Sequence, residues 1–240
     1  MDVWEDMKLV FFRAYPKEAV VAVAADMTWR ELQNVAGDPL NGFALTDADK
    51  LALEKNPPFA LIHSHPNGTA APSDLDSASQ LATGWTWGIV AIHGNPLGEV
   101  YSISYPEFWG DDVPIPPLEG RPYLWGIRDC YSLIRDFYRL EGKYLRDIPR
   151  ARYPDHYPVG HWGRAPFPYW IPKLGFKPIN RNERKRGDMF TMKVRTPHAN
   201  HCGIYLGDGK YIHQPLDRNS EIDFFNERQM ERESVQFYRR

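Results

Sequence analysis

The 240-residue sequence has only two cysteines and no apolar run near the length of a membrane span. Two cysteines are too few for a disulfide framework, so we expect a chain made in a reducing cytosol. The first six residues, Met-Asp-Val-Trp-Glu-Asp, lack the basic-then-apolar order of a secretory signal. With 42% hydrophobic and 25% charged residues, the composition is that of a soluble globular protein. The scarcity of cysteine excludes a disulfide-rich secreted scaffold, and the lack of a long apolar run excludes a membrane-spanning helix.

Basic residues are scarce in the first part of the chain only. Residues 1–104 have 6 Lys and Arg against 13 Asp and Glu, whereas residues 105–240 have 23 against 18. A basic region can attract an anionic partner such as cell-wall polymer or nucleic acid. Acidic residues interrupt the basic ones, however, and no continuous basic stripe follows a helix. A solvated surface is the simpler interpretation, and we expect no direct binding of nucleic acid.

Two domains are predicted from a change of pattern along the chain. Residues 1–104 alternate helix and strand signals, residues 105–121 are rich in proline with little periodicity, and residues 122–240 end in short strands. Helical spacing predicts helices over 2–14, 73–81 and 129–140. Short apolar runs predict strands over 20–25, 59–62, 87–92, 99–103, 189–194, 201–206, 210–214 and 222–225. The predicted fold class is α+β, with a linker over 105–121.

The most informative motif lies between His63 and Asp76. His63 and His65 alternate on a predicted strand, so both imidazoles share one face and can reach a single ion. Asp76 follows a loop that contains proline and glycine and can supply an oxygen ligand. Two histidines and one carboxylate leave the fourth zinc position for water, as a hydrolytic site requires. Taken singly, a strand histidine is usually structural, and Ser73 with Asp76 is typical of a helix N-cap.

The spacing H-x-H-x7-S-x2-D resembles the signature of the JAMM (MPN) metallopeptidases, and the resemblance covers roughly residues 1–104. It implies an α/β/α metallopeptidase fold with Zn²⁺ as the cofactor. It also implies the metal ligands, which are His63, His65 and Asp76.

Members of that family have a glutamate early in the domain, where a helix is followed by a strand. Glu18 occupies this place, so the resemblance implies that Glu18 is the general base that takes a proton from water. Ser73 is implied to stabilise the oxyanion. The family often has Cys-Gly just after the glutamate, whereas this chain has Ala19-Val20-Val21, so we expect a different local turn.

A second motif begins where Asp129-Cys130 opens a predicted helix. The helix dipole and the backbone N–H groups at a helix start favour thiolate over thiol at Cys130. Further along the chain, His201 and His213 lie on the two strands of a predicted hairpin that turns at Asp208-Gly209. The hairpin can put the two imidazoles side by side. His201 would then activate the thiolate, and His213 would orient His201.

Three features of this motif have alternative interpretations. A free cysteine is usually buried and inert, which is the interpretation we favour for Cys202, because it points to the strand face opposite His201. A disulfide between Cys130 and Cys202 is not expected in a cytosolic product. His198, just after Pro197 and outside the strand, is an alternative base.

The second motif resembles the NlpC family of papain-like cysteine peptidases, which cut the peptide stems of bacterial peptidoglycan. The resemblance spans about residues 121–238 and has three elements: Asp129-Cys130 at a helix start, Gly187-Asp188 before a strand, and the His-x-Gly-Ile-Tyr-x-Gly hairpin from His201. It implies a papain-like α+β fold. The implied catalytic residues are Cys130, His201 and His213.

Both motifs in one chain, in this order, resemble the tail-tip assembly proteins of lambda-like siphophages. The resemblance implies a two-site hydrolase made in the host cytoplasm and located there during tail assembly or at the virion tail tip. Its implied partners are other tail-tip proteins and bacterial peptidoglycan. The cysteine site would cleave stem peptides, and the zinc site a peptide or isopeptide bond. A mainly structural tail-tip protein with little-used sites and a cellular isopeptidase are the alternatives.

Overall fold

The computed structural model describes residues 3–153, 156–158 and 160–240. Contacts within the chain define two compact units, one of residues 1–72 with 78–114 and the other of residues 73–77 with 115–240. Both units combine helices with a sheet, so the α+β prediction is confirmed. Among the described residues, every helix is too short or too polar to span a membrane.

The first unit is built on a six-stranded sheet with the order β2-β1-β3-β4-β5, and β6 also pairs with β4. Strands β3 and β4 are parallel, whereas the other pairs are antiparallel. Helix α3 joins the two parallel strands, as a parallel connection requires. In chain order the elements are α1 Val3–Ala14, β1 Val20–Val23, β2 Trp29–Leu32, α2 Asp47–Lys55, β3 Ala60–Pro66, α3 Asp74–Thr83, β4 Trp87–Gly94, β5 Val100–Ile103 and β6 Glu107–Trp109. The first turn of α3, residues 74–77, is grouped with the second unit.

Strand β3 lies in the middle of this sheet and is buried from Ala60 to Ser64. Its apolar half anchors it, since Leu61 and Ile62 are almost fully buried and each contributes about 2 kcal/mol through burial. Its polar half, from His63, therefore emerges at a fixed place at the carboxyl end of the strand. Helix α1 buries Met7, Val10 and Phe11, as the helical spacing predicts.

The second unit has a six-stranded antiparallel sheet with the order β11-β10-β9-β8-β12-β7. Helix α4 packs against β9. In chain order the elements are α4 Cys130–Leu140, α5 Pro166–Lys173, β7 Lys177–Ile179, β8 Met189–Met192, β9 His201–Gly207, β10 Lys210–His213, β11 Glu221–Phe224, α6 Glu227–Arg232 and β12 Gln236–Arg239.

Strand β9 separates two apolar clusters. Cys202 and Ile204 face the cluster that contains the apolar side of α4, whereas Tyr205 faces a second cluster with Phe190. Between them, Gly203 allows close packing, because a Cβ there would lie 2.6 Å from the Phe190 ring and from a backbone carbonyl oxygen. The glycine of the His-x-Gly hairpin is thus required by the packing of the sheet.

The predicted helices and strands are confirmed with shifts of one to a few residues at their ends. The linker prediction over 105–121 is wrong for Glu107–Trp109, which form β6 and pair with Trp87–Ile89 of β4. A strand of three residues is too short to produce a periodic signal. The other predicted domain boundaries stay predictions.

Candidate active sites

Two strand residues and one helix residue form the candidate metal site. His63 and His65 lie on β3, and Asp76 lies in the first turn of α3. One ligand atom from each residue lies within 4.8 Å of the other two, and the two histidine Nε2 atoms are 3.0 Å apart. His63 and Asp76 are buried, whereas His65 is half-buried. Two converging imidazole nitrogens and a carboxylate are a donor set that suits zinc.

The backbone of the loop after β3 fixes the tautomer of His65. Its Nδ1 lies 2.9 Å from the carbonyl oxygen of Thr69. A carbonyl oxygen only accepts hydrogen bonds, so Nδ1 donates and the neutral ring keeps its lone pair on Nε2. A histidine ligand needs this arrangement, in which the far nitrogen is held by a carbonyl.

Ser73 and Asp76 cap helix α3 reciprocally. The Asp76 amide donates to Ser73 Oγ at 3.1 Å, while Asp76 Oδ2 accepts from the Ser73 amide at 2.8 Å and from its hydroxyl at 2.6 Å. The N-cap prediction for Ser73 is therefore confirmed. Because the serine hydroxyl donates to Asp76, it orients the carboxylate in this arrangement. The implied oxyanion role of Ser73 stays a prediction.

Glu18 lies two residues before β1, the strand that pairs with the strand of the two histidines. Strands β1 and β3 pair Val20 with His63, and the Ser64 amide donates to the Ala19 carbonyl at 3.0 Å. Continuing this antiparallel register places Glu18 opposite His65, and residues that are directly opposite share a face of the sheet. Glu18 is only 8% exposed and is not a member of the three-residue donor set. A general base needs this kind of position, and the role of Glu18 stays a prediction.

The candidate nucleophile Cys130 is the first residue of α4. The preceding residue, Asp129, is the N-cap, and its Oδ1 accepts from the Ser132 amide at 2.8 Å. Cys130 is half-buried. Cys130 therefore lies at the positive end of the helix dipole in a partly exposed residue position, as a reactive cysteine requires.

A buried arginine holds this cap in place. Arg150 donates to Asp129 Oδ2 from Nε at 2.8 Å and also bonds Asp147 at 2.6 Å. Burial alone would raise the pKa of Asp129, but the Arg150 charge and the hydrogen bonds from Arg150 and Ser132 outweigh burial and lower that pKa. Asp129 therefore stays ionised, and a buried ion pair with Arg150 holds the helix start that carries Cys130.

Arg150→Met is expected to destabilise the protein by about 3–5 kcal/mol, because it leaves the Asp129 carboxylate buried without its cation. Urea unfolding followed by circular dichroism measures the change. The matched control is Arg152→Met, two residues further on, where the side chain is exposed and we expect a change within about 0.5 kcal/mol. Equal effects of the two substitutions would contradict the structural role of Arg150.

The hairpin of β9 and β10 joins the two histidine rings. His201 Nε2 lies 2.8 Å from His213 Nδ1, and His213 Nε2 lies 3.6 Å from Glu221 Oε1. Burial, and then the charge of His201, lower the pKa of His213 to about 3. His213 is therefore neutral at pH 7. With its proton on Nε2, toward Glu221, it accepts from His201 and leaves the other nitrogen of His201 for the cysteine.

The sulfur of Cys130 accepts hydrogen bonds from two side chains. The hydrogen bond from the Cys202 thiol lowers the pKa of Cys130 most. Burial alone would raise this pKa, but the bonds from Cys202 and His201 outweigh burial and lower it to about 5. Burial, and then its bond to Cys130, raise the pKa of Cys202 well above its ordinary value. A pKa of about 5 favours the thiolate of Cys130 at neutral pH, whereas the raised pKa of Cys202 keeps that residue a protonated thiol.

A family model for the NlpC/P60 family matches residues 120–239 of the chain, the unit that carries this arrangement. The chain belongs to the NlpC/P60 family. It is 30% identical over 207 residues to the tail tip assembly protein K of Escherichia phage N15. The matched region covers 83% of this chain and 78% of that protein. For tail tip assembly protein K of Escherichia phage lambda the identity is 26%, covering 70% of this chain and 75% of that protein.

A cellular protein of Escherichia coli K12, the probable endopeptidase YafL, is 29% identical over 114 residues. This similarity covers 43% of the chain and 39% of YafL. NlpC/P60 is a family of cysteine peptidases and hydrolases, and the geometry of Cys130 and His201 is consistent with hydrolysis of a peptide bond.

In the NlpC/P60 unit, Cys130, His201 and His213 lie together as predicted. His198 is exposed and lies outside β9, and it is His201 that bonds His213. Cys202 is fully buried, as predicted, but its bond to Cys130 was not expected. Arg150 and Glu221 were also missed, since Arg150 reaches Asp129 from an irregular stretch 21 residues away and Glu221 reaches His213 through the pairing of β11 with β10.

Proposed function

We propose that this chain is a siphophage tail-tip peptidase whose Cys130 site cleaves the peptide stems of bacterial peptidoglycan. The observation that carries the proposal is a cysteine at a helix start, hydrogen-bonded to His201, whose ring is held by His213. Similarity to two tail tip assembly proteins K supports its place on a phage tail. The protein is proposed to act at the virion tail tip or in the host cytoplasm during tail assembly, with other tail-tip proteins as partners.

The mechanism follows from these positions. The Cys130 thiolate attacks the carbonyl carbon of the scissile amide, and the electron pair moves to the carbonyl oxygen. Backbone N–H groups at a helix start have no partner within the helix, so the start of α4 can stabilise that oxyanion. His201 gives its proton to the leaving amine and then takes one from the water that hydrolyses the thioester. His213 keeps the His201 ring oriented throughout.

The proposed bond is the one between γ-D-glutamate and the diamino acid of the stem. Stem peptides carry free carboxylates, and residues 105–240 have an excess of basic residues. The charges of substrate and enzyme are therefore complementary, which favours encounter.

Mass spectrometry of muropeptides tests this proposal. Purified sacculi are incubated with the wild-type protein, with Cys130→Ala and with His63→Ala. We expect the wild type and His63→Ala to release the same cleaved stems, and Cys130→Ala to release none. Intact stems with all three proteins, together with infectious tails assembled from both variants, would favour a mainly structural tail-tip protein.

We propose a second activity for the site of His63, His65 and Asp76, hydrolysis of a peptide or isopeptide bond in a tail protein during assembly. Three observations support it: the donor set of His63, His65 and Asp76, the fixed tautomer of His65, and the position of Glu18. A zinc ion held by these ligands would supply Lewis acidity that polarises a carbonyl and acidifies water. Glu18 would take the proton, and Ser73 would keep the Asp76 carboxylate oriented. Cleavage of ubiquitin-like conjugates without cleavage of muropeptides would instead favour a cellular isopeptidase.

A further inference from the structure

The proposed peptidase mechanism uses one cysteine, yet both cysteines of the chain lie at the same site. Cys130 and Cys202 are both free thiols, and their side chains are joined by a hydrogen bond. They are 72 residues apart in sequence but are brought together because α4 packs against β9. A second thiol in contact with a reactive thiolate can form a disulfide with it once the thiolate is oxidised.

The two sulfurs differ in access and in protonation. Cys130 is half-buried, whereas Cys202 is 0% exposed and lies in the apolar cluster with Ile204 and Leu133. A small oxidant can therefore reach Cys130 and not Cys202. Cys130 is also the thiolate of the pair, and the thiolate is the form that reacts with oxidants.

We propose that Cys130 and Cys202 close a reversible disulfide when the protein meets a peroxide, and that this bond switches the cysteine site off. The loss of activity rests on the proposed peptidase function, because it is the nucleophile that is consumed. Formation of the bond does not depend on that function. It depends on the reaction of Cys130 with peroxide and on the contact between the two sulfurs.

The chemistry balances in two steps. The Cys130 thiolate attacks one oxygen of hydrogen peroxide, the O–O bond breaks, and hydroxide leaves to give a sulfenic acid and, after protonation, water. The Cys202 sulfur then attacks the Cys130 sulfur, and the sulfenic oxygen leaves as a second water with the Cys202 proton. Two thiols lose two electrons in total, and one peroxide accepts them. A thiol reductant reverses the bond by exchange at the half-buried Cys130 sulfur.

Without Cys202, oxidation of Cys130 has a different end point. A sulfenic acid that finds no neighbouring thiol is oxidised further to sulfinic and sulfonic acids, which thiol reductants do not reverse. The second cysteine therefore protects the nucleophile as well as inactivating it for a time.

Peptide mapping tests the proposal on the full chain. Trypsin places Cys130 in the peptide 129–135 and Cys202 in the peptide 196–210, and neither peptide contains methionine, so methionine oxidation does not obscure the masses. The wild-type protein and Cys202→Ala are treated with hydrogen peroxide, alkylated and digested without reductant. In the wild type we expect the two peptides to appear as one cross-linked species, about 2 Da lighter than their sum, which dithiothreitol separates.

In Cys202→Ala we expect peptide 129–135 to gain about 32 or 48 Da and to keep that mass after dithiothreitol. Cys202→Ser tests the same loss of the thiol with a side chain of nearly unchanged size, and it should behave like Cys202→Ala. If wild-type peptide 129–135 gains oxygen without forming the cross-link, the proposal is overturned. A cross-link found only in a dimer band on a non-reducing gel would also overturn it.

Activity is a separate readout. Wild-type muropeptide cleavage should fall at least about tenfold after peroxide and return with dithiothreitol, whereas cleavage by Cys202→Ala should not return. Cross-linking without any muropeptide cleavage by the untreated protein would leave the disulfide intact and reject the peptidase function.

Discussion

Cys130→Ala is expected to lower kcat/KM for a stem peptide by a factor of about 10⁴ or more, because no other nucleophile replaces the thiolate. His201→Ala should have a loss of similar size, since the thiolate then lacks the group that protonates the leaving amine. The double variant should be no worse than either single one, because residues that act as a unit are not additive. Cleavage of a defined stem peptide, followed by chromatography, measures all three.

The matched control lies in the same hairpin. Asp208 is exposed in the turn between β9 and β10 with φ 51°, and asparagine also tolerates this backbone conformation. Asp208→Asn should therefore keep its activity within about twofold of the wild type. If the losses from Cys130→Ala and His201→Ala multiply in the double variant, the two side chains do not act in one step, and the mechanism proposed for this site is wrong.

Zinc content gives the second large expected effect. The protein should retain about one zinc per chain after dialysis, and His63→Ala or Asp76→Ala should retain under about a tenth of that, because a set of three ligands does not hold zinc after losing one. Glu18→Gln should bind zinc like the wild type, since Glu18 lies outside the donor set. Inductively coupled plasma mass spectrometry measures the metal.

His93→Ala is the control for the loss of a histidine. His93 lies on β4 of the same sheet, partly exposed, and does not belong to the donor set. Its substitution should leave the zinc content unchanged. Wild-type protein with far less than one zinc per chain, or equal zinc in His63→Ala and His93→Ala, would reject the metal site.

The parts of the two sites that the sequence predicted depend on short spacings. Strand alternation predicted that His63 and His65 share a face, and a helix start predicted that the thiolate is favoured at Cys130. The hairpin placed His201 beside His213, because a tight turn fixes which residues are opposite. Each of these inferences needs only the local periodicity of one or two elements.

The contacts that were missed depend on packing or pairing between separate elements of the chain. Arg150 reaches Asp129 from an irregular stretch 21 residues further along the chain, and no periodicity marks it. Cys202 was correctly predicted to face the core, but its contact with Cys130 follows from how closely α4 packs on β9. Glu221 lies near His213 only because β11 is the neighbour of β10 in the sheet.

The central claim is that Cys130 is a thiolate in the resting protein, and its rate of alkylation as a function of pH tests this most directly. Native protein is pulsed with iodoacetamide from pH 4 to pH 9, and modification is read on peptide 129–135, with the buried Cys202 in peptide 196–210 as an internal control that stays unmodified. Since only the thiolate reacts and the pKa of Cys130 is lowered to about 5, the rate should be half-maximal near pH 5 and flat above about pH 6. A rate that is still rising through pH 8, as for an ordinary thiol with a pKa of about 8.5, would contradict the account.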